Sequence, residues 1–356
     1  MSIRLYSAGF LTCAGLVASW AALAQQLPPI EPPKPMPAAP GAAPSLRVTT
    51  TEVLVPTLVE EKGGGILYGL KPNDFILEDN GVPQKIRVQP EMDTAPVALV
   101  VAVERGGAST LEFDKLAQLG SLLDVFLFDP RSQVALVGFD SVPHLIHDFT
   151  HSGDEVDQKL QQLQAGNGGA AILDTVNYAV SLLESEPKEY RRVLLLISEE
   201  RDHGSKHTRP AQLIKRIGES DVLVLSVSFS PALAEFAGGM HGPYYGQTTP
   251  AHTPTPGLPE QTAGGNLLAP LVMAINAAKK NVAKEVAEMS GGEYTTFFGS
   301  KAFQAEILRA ARDARNRYLI SFSPSDPTPG LHTIRVRTAE DYGARIVARA
   351  NYWAGP

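Results

Sequence analysis

The strongest constraint on the fold is an uninterrupted apolar run at residues 97–103, in which four of the seven residues are valine. A run of this kind predicts a strand that is covered on both faces, as in the middle of a parallel sheet. Glu104 and Arg105 follow it directly, and Gly106 and Gly107 then allow a sharp turn. Ligands of open α/β sheets bind at the carboxyl ends of such strands, so this loop is the first candidate site.

Strand-like and helix-like stretches alternate from residue 94 to residue 315. Further strands are predicted at residues 133–139, 145–146, 192–197, 222–227 and 294–297, and helices at residues 111–128, 153–163, 172–183, 210–217, 267–289 and 303–314. This alternation predicts an α/β domain with a doubly wound, mainly parallel, Rossmann-like sheet. Residues 230–265, which are rich in Gly, Pro and Thr, interrupt the alternation and are predicted to form a flexible insertion.

Both flanks of the predicted α/β domain have β character. Residues 46–93 contain β-branched stretches and the hairpin turn Asp79-Asn80-Gly81, and residues 316–356 return to apolar alternation. Neither flank is long enough to bury a sheet face by itself. We therefore expect the N-terminal and C-terminal segments to pair and form a small β-module.

The N-terminus has the pattern of a secretory signal. Arg4 precedes a mostly apolar stretch, and small residues at positions 22 and 24 favour cleavage after Ala24. We predict a signal peptide at residues 1–24, with an uncleaved anchor helix as the alternative, and a Pro/Ala-rich linker at residues 25–45. Cys13, the single cysteine, lies in the predicted signal. We expect a secreted or periplasmic protein with no membrane span after cleavage and no disulfide.

Several stretches resemble the von Willebrand factor type A-related family of secreted bacterial proteins. The similar segments follow the order of that family's N-terminal β-module, late helix-to-strand turn and C-terminal strands; they lie at residues 69–86, 289–294, 317–324 and 352–353. The resemblance extends over residues 46–353. It implies a type A α/β fold and a role in protein–protein interaction or adhesion.

Type A domains of this kind carry a metal-ion-dependent adhesion site with a D-x-S-x-S motif, a threonine and a T-D-G loop. At the matching positions this chain has Glu104 for the first aspartate, Gly106 and Ala108 for the two serines, Ala170 for the threonine and Glu199 for the second aspartate. The resemblance therefore implies a degenerate site without its hydroxyl ligands. Magnesium demands near-octahedral oxygen geometry, so we expect no cofactor, with Mg or Ca binding as the less favoured alternative.

We expect a partner to bind on the rim of the degenerate site. The predicted rim residues lie in the loops after two buried strands and at the start of a helix: Glu104, Arg105, Ser109, Asp174, Glu199, Arg201 and Asp202. One hypothesis is that the guanidinium groups of Arg105 and Arg201 offset the charge of the paired glutamates. The alternative is that all of these are solvated loop charges.

The sequence favours a non-catalytic interaction or adhesion module with a protein partner in the envelope or outside the cell. The net charge of −7 and the lack of a Lys/Arg cluster argue against nucleic acid. Ser226 and Ser228 lack the frame of a hydrolase nucleophile, and the glycines of residues 166–169 lack the lysine of a phosphate loop. Alternatives are a metal-dependent adhesin, an enzyme of unknown chemistry, a scaffold that binds through its β-module, and a surface zinc site at His203 and His207.

Overall fold

The computed structural model of the protein describes residues 52–89, 95–116, 119–230 and 281–355. The predictions for residues 1–24, residues 25–45 and nearly all of the 230–265 insertion lie outside these residues. None of the helices in the described part is long and apolar enough to cross a bilayer.

Strands and helices follow one another in the order that the alternation predicts. The strands are β1 (Val53–Glu60), β2 (Phe75–Asp79), β3 (Val82–Pro83), β4 (Ile86–Val88), β5 (Val97–Glu104), β6 (Gln133–Phe139), β7 (Pro143–Thr150), β8 (Arg191–Ser198), β9 (Leu223–Phe229), β10 (Tyr294–Phe297), β11 (Tyr318–Phe322), β12 (Gly330–Thr338), β13 (Arg345–Val347) and β14 (Asn351–Ala354). The α-helices are α1 (Phe113–Leu116), α2 (Leu119–Leu123), α3 (Gly153–Gln161), α4 (Ile172–Ser185), α5 (Pro210–Glu219), α6 (Val282–Ser290) and α7 (Ser300–Arg315).

A six-stranded sheet in the order β10-β9-β8-β5-β6-β7 forms the centre of the α/β domain. All neighbouring strands are parallel except β6 and β7. Every residue of β5 is buried, because α1, α2, α3 and α7 pack on one face of the sheet and α4, α5 and α6 on the other. The predicted doubly wound, mainly parallel fold is confirmed, and residues 97–103 form an interior strand.

Two predicted elements differ in the structure. The helix expected at residues 111–128 is replaced by a 3-10 turn, Gly107–Glu112, followed by the short helices α1 and α2. Hydroxyls of Ser109 and Thr110 donate to carbonyls three residues earlier and thereby support the tighter turn. The strand expected at residues 145–146 is the eight-residue β7, whose apolar alternation is broken by register shifts opposite β6.

The N-terminal and C-terminal strands form the expected β-module. One antiparallel sheet has the order β13-β1-β11-β4 and the other β14-β12-β2-β3. The register pairs Val53 with Phe322 and Leu58 with Val347, so strands from both ends alternate in one sheet. Side chains from both sheets share one core, in which Phe322 packs edge-on against Tyr352. This arrangement solves the problem that neither flank can bury a sheet face alone.

Candidate functional site

Three loops meet at the carboxyl edge of the parallel sheet. β5 and β8 are adjacent and parallel, so the loops that follow them leave the sheet side by side. The segment before α4 is hydrogen-bonded to both loops: the amide of Gly166 donates to the carbonyl of Arg105 (2.8 Å), and the amide of His203 donates to the carbonyl of Ala170 (3.1 Å). The structure therefore brings together the loops that contain the predicted rim residues.

Glu104, the last residue of β5, is buried with 3% of its surface exposed. Its Oε2 accepts a hydrogen bond from the amide of Glu199 at 2.8 Å. Burial raises the pKa of Glu104 to about 8; the Glu199 amide opposes this rise and the Glu199 charge adds to it. At pH 7 Glu104 is mainly a neutral acid that holds the loop after β8.

Arg105 pairs with Asp140, which corrects the expected compensation of Glu104. The Arg105 Nη2 lies 3.4 Å from the Asp140 Oδ2, and both side chains are mostly buried. Asp140 follows β6 directly, and its Oδ2 also accepts the amide of Asn167 at 3.2 Å. The sequence reasoning missed Asp140. The signal was available, because Asp140, like Glu104, is an acidic residue at the end of a buried strand.

Asp174 and Asp202 join α4 to the loop after β8 through reciprocal hydrogen bonds. The carboxylate of Asp174 accepts the backbone amides of residues 206–208 at 2.6 to 3.2 Å. In return, Asp202 accepts the amide of Leu173 in the first turn of α4 at 2.8 Å. The hydroxyl of Ser205 links the two acids, because it donates to Asp202 (2.5 Å) and accepts the amide of Asp174 (3.0 Å).

The protonation state of Asp174 follows from these bonds. Burial acts to raise its pKa, but the amides of residues 206–208 and the hydroxyl of Thr208 together lower the pKa below its usual value. Asp174 is therefore an ionised carboxylate whose acceptors are occupied by the protein itself, and it fixes the loop over the N-terminus of α4.

Glu199 pairs with His203, four residues later in the same loop. The Glu199 Oε1 contacts the His203 Nε2, with 14% of the glutamate side chain and 47% of the histidine side chain exposed. Arg201, between them in sequence, is exposed. The histidine thus takes the place beside Glu199 that we expected a guanidinium group to fill.

Ser109 is not part of the exposed rim. Only 1% of its surface is exposed, and its hydroxyl donates to the carbonyl of Gly106 at 2.5 Å. Of the seven predicted rim residues, Arg201 is exposed, Arg105, Glu199 and Asp202 are half-buried, and Glu104, Ser109 and Asp174 are buried.

Backbone atoms fill the positions where the hydroxyl ligands of the metal site would lie. A Cβ at Gly106 would meet the carbonyl oxygens of Gly169 at 2.2 Å and Asn167 at 2.7 Å. Ala170 is fully buried. Gly204 covers it so closely that a Cβ at Gly204 would lie 2.9 Å from the Ala170 carbonyl carbon. The loops have closed over the first serine position and the threonine position.

The residues at this edge do not fit a divalent cation. Glu104 is a buried neutral acid, Asp174 is saturated with amide donors, and the hydroxyl positions are occupied by backbone. The only metal-like cluster among the described residues lies elsewhere, where Glu60, Glu293 and Asp313 approach one another. Arginines already neutralise it: the Arg345 Nη1 lies 3.0 Å from Glu60, and the Arg345 Nη2 lies 2.7 Å from Glu293. That cluster is an ion-pair network between the β-module and the α/β domain.

The sequence and the structure were compared with known proteins. Residues 105–201 match the family model described as von Willebrand factor type A domain. None of the curated proteins that were compared matches the chain. The matched segment starts in the loop after β5 and ends in the loop after β8, so it includes the closed site described above.

Solved structures of bacterial proteins are also similar. They include an aerotolerance-related membrane protein from Bacteroides fragilis NCTC 9343 (17% identity, 61% of this chain and 98% of that chain covered, TM-score 0.39). BatB from Bacteroides thetaiotaomicron is similar at 16% identity, with 61% of this chain and 99% of that chain covered and a TM-score of 0.38. The vWF domain of the type V pili tip protein Mfa5 from Porphyromonas gingivalis has 19% identity, 31% and 39% coverage and a TM-score of 0.28.

These TM-scores are low, so the family match carries the assignment. Together with the sheet order and the position of the loops, it leads to one conclusion: the α/β part of this chain contains a von Willebrand factor type A domain.

Proposed function

We propose that the protein is an exported, non-catalytic interaction module that binds a protein partner through its carboxyl-edge loops without a metal ion. The type A family match supports the interaction role. The predicted signal peptide supports a secreted or periplasmic location. The boundaries predicted at residues 94 and 315 enter the proposal as the limits of the partner-binding domain.

The observation that carries the proposal is the closure of the metal site by backbone. Close packing of Gly106 against residues 167–169, and of Gly204 against Ala170, leaves no room for hydroxyl ligands. A cation would have to displace hydrogen-bonded loops before it gained ligands, and magnesium tolerates poor geometry badly. A metal-dependent adhesin is therefore the weaker reading of the same fold.

The outer surface of the loop after β8 supplies side chains for a partner. Arg201, His203, Lys206, His207 and Arg209 are all exposed. Beneath them, Asp174 and Asp202 fix the backbone, so the loop is held in shape before a partner arrives. The exposed groups are cationic or histidine in a chain of net charge −7, which favours a partner with acidic groups at the interface.

Capture from an envelope extract tests this proposal. The wild-type protein, Arg201→Glu, Lys206→Glu and the control Arg337→Glu are compared as bait. Arg337 is exposed on the β-module, where it pairs with Glu78. We expect the partner to be lost with the first two variants, kept with the control, and kept in EDTA.

The other outcomes separate the alternatives. Loss only with Arg337→Glu would move the interface to the β-module, as in the scaffold reading. Capture that is unchanged in all three variants would contradict binding at the carboxyl edge.

Calorimetric titration with Mg²⁺, Mn²⁺ and Ca²⁺ tests the metal-free part of the proposal separately. We expect no saturable heat at micromolar to low millimolar cation. A saturable heat that Glu104→Ala abolishes would overturn metal-free binding and establish the metal-dependent adhesin.

A further inference from the structure

A cavity of about 320 Å³ lies at the opposite, amino edge of the parallel sheet. Its lining includes the first residues of β8 and β9 from the α/β domain, and Leu54 and Leu319 from the β-module. The cavity is therefore a cleft between the two parts of the fold, a frequent location of small-molecule sites. It is remote from the carboxyl-edge loops and is independent of the function proposed for them.

The lining of this cavity is strongly cationic. Its positively charged side chains are Lys188, Arg191, Arg192, Arg317 and Arg349. The acidic lining residues among those described are Glu189 and Asp221. In a chain with a net charge of −7, this concentration of arginine is a local reversal of sign that attracts an anion.

Arg317 has a buried N–H group without an acceptor. Only 1% of its surface is exposed. Its Nε donates to the carbonyl of Asp313 (3.0 Å) and its Nη1 to the carbonyl of Gly291 (2.7 Å), whereas its Nη2 has no hydrogen-bond partner. Burial lowers the pKa of Arg317 to about 10, so the group stays cationic at pH 7.

Arg192 repeats this arrangement at the start of β8. Its Nη2 donates to the carbonyl of Glu186 at 2.7 Å, but its buried Nε has no hydrogen-bond partner. An unsatisfied buried donor costs about 1 to 3 kcal/mol, so a ligand oxygen that accepts from both arginines would recover energy that the free protein lacks.

Arg349 adds a fixed positive charge. Its guanidinium nitrogens donate to the carbonyls of Ile217 (3.1 Å), Gly218 (3.0 Å) and Asn351 (2.9 Å), which hold it in place without neutralising it. Asp221 is the nearby opposing charge. The remaining walls are largely apolar and include Leu54, Val222 and Leu319.

We propose that this cleft binds a small organic anion. The carboxylate or phosphate group of the ligand accepts from Arg192 and Arg317, and its apolar body lies against Leu54 and Leu319. Guanidinium groups bind both kinds of anion well, so the shared chemistry is an oxyanion on a compact apolar group. The cavity volume sits at the lower end of the range of about 300 to 1,000 Å³ that small-molecule sites occupy, which sets the ligand size.

Calorimetry on the purified protein tests the proposal with four probes: benzoate, phenyl phosphate, inorganic phosphate and benzyl alcohol. We expect at least one aromatic anion to bind with a Kd below about 1 mM, and both inorganic phosphate and benzyl alcohol to bind at least tenfold more weakly. Preference between benzoate and phenyl phosphate identifies the oxyanion.

Variants assign the binding to the cleft. Arg192→Gln should weaken the aromatic anion at least tenfold, whereas Arg337→Gln on the far sheet of the β-module should leave the Kd unchanged. Arg317→Lys removes Nη2 and keeps the charge, and it should weaken binding if the variant unfolds in the same cooperative transition as the wild type. The proposal is overturned if neither aromatic anion binds, if Arg192→Gln binds as the wild type does, or if inorganic phosphate binds as tightly as phenyl phosphate.

Discussion

The two edges of the six-stranded sheet treat their polar groups in opposite ways. At the carboxyl edge, Glu104, Asp140, Asp174 and Asp202 all accept backbone amides from neighbouring loops. At the amino edge, Arg317 and Arg192 keep buried donors without hydrogen-bond partners.

The difference separates the place where a ligand is expected by family from the place where the chemistry invites one. The carboxyl edge of this type A domain has become self-satisfied, and its acids now stabilise loops. The amino edge retains unmet hydrogen-bonding capacity, which is the usual physical mark of a site that takes up a ligand. Four predictions test how firmly the carboxyl edge is committed to structure.

The largest effect is expected from restoring the motif serine with Gly106→Ser. Its Cβ would lie 2.2 Å from the Gly169 carbonyl oxygen, and backbone cannot yield cheaply there. We expect the free energy of unfolding to fall by about 3 kcal/mol, measured by denaturant titration, without a gain in Mg²⁺ binding. Gly168→Ser is the control, because nothing lies within 4 Å of a Cβ there, and it should change stability by less than about 0.5 kcal/mol. A stable Gly106→Ser variant that binds Mg²⁺ would show that the loops open easily.

Asp174→Asn places an amide group against the three backbone amides of residues 206–208. We expect a loss of about 2 kcal/mol in the free energy of unfolding near pH 7. Because the pKa of Asp174 is lowered in the folded state, its contribution is present above the unfolded-state pKa of about 4 and is lost as the pH falls through the folded-state value. The variant and the wild type should therefore converge in acid. Asp154→Asn, at an exposed first-turn position of α3, is the control and should cost no more than about 0.5 kcal/mol.

Glu104→Gln tests the opposite pH dependence. The folded-state pKa of about 8 lies above the unfolded value, so the stability that the neutral acid provides is fully present below the unfolded pKa and is lost as the pH rises towards 8. Glutamine cannot ionise. We expect the free energy of unfolding of the variant to improve relative to the wild type by on the order of 2 kcal/mol between pH 5 and pH 8. Parallel pH profiles for the two proteins would show that Glu104 is not held as a neutral acid.

The smallest effect is expected from Arg105→Gln, which removes the ion pair with Asp140. The pair is mostly buried, but Asp140 keeps its backbone donors, so we expect a loss of about 1 kcal/mol. The comparison is Arg131→Gln, whose partner Asp129 lies closer, at 2.8 Å, but whose side chain is 64% exposed. That variant should leave the denaturation midpoint unchanged. An equal loss in both variants would mean that burial does not decide the strength of these pairs.

Sequence patterns predicted the fold where a local signal and the final environment agree. The apolar runs of β5 and β8 require cover on both faces, and they form interior strands. The 111–128 helix failed because periodicity does not register that Ser109 and Thr110 can bond to their own turn. β7 was underestimated because its register shifts against β6 arise only when the strands pair.

The candidate site was predictable in position and not in bonding. The motif positions identified Glu104, Asp174 and Asp202, and all three lie at the carboxyl edge. Their partners could not be read from the sequence, because the direction of a side chain such as Arg105 depends on how three distant loops close. The cationic cleft had no sequence signal, since its arginines are spread from residue 191 to residue 349 and the fold alone brings them together.

The pairing of β1 also has a consequence for the order in which the chain matures. Val53 meets Phe322 and Leu58 meets Val347, so β1 lacks both of its neighbours until nearly the whole polypeptide has emerged. A chain that stops early keeps β1 as an open strand edge, which invites aggregation or proteolysis. Completion of this sheet thus distinguishes finished molecules from truncated ones, and the last strands to be synthesised secure the first.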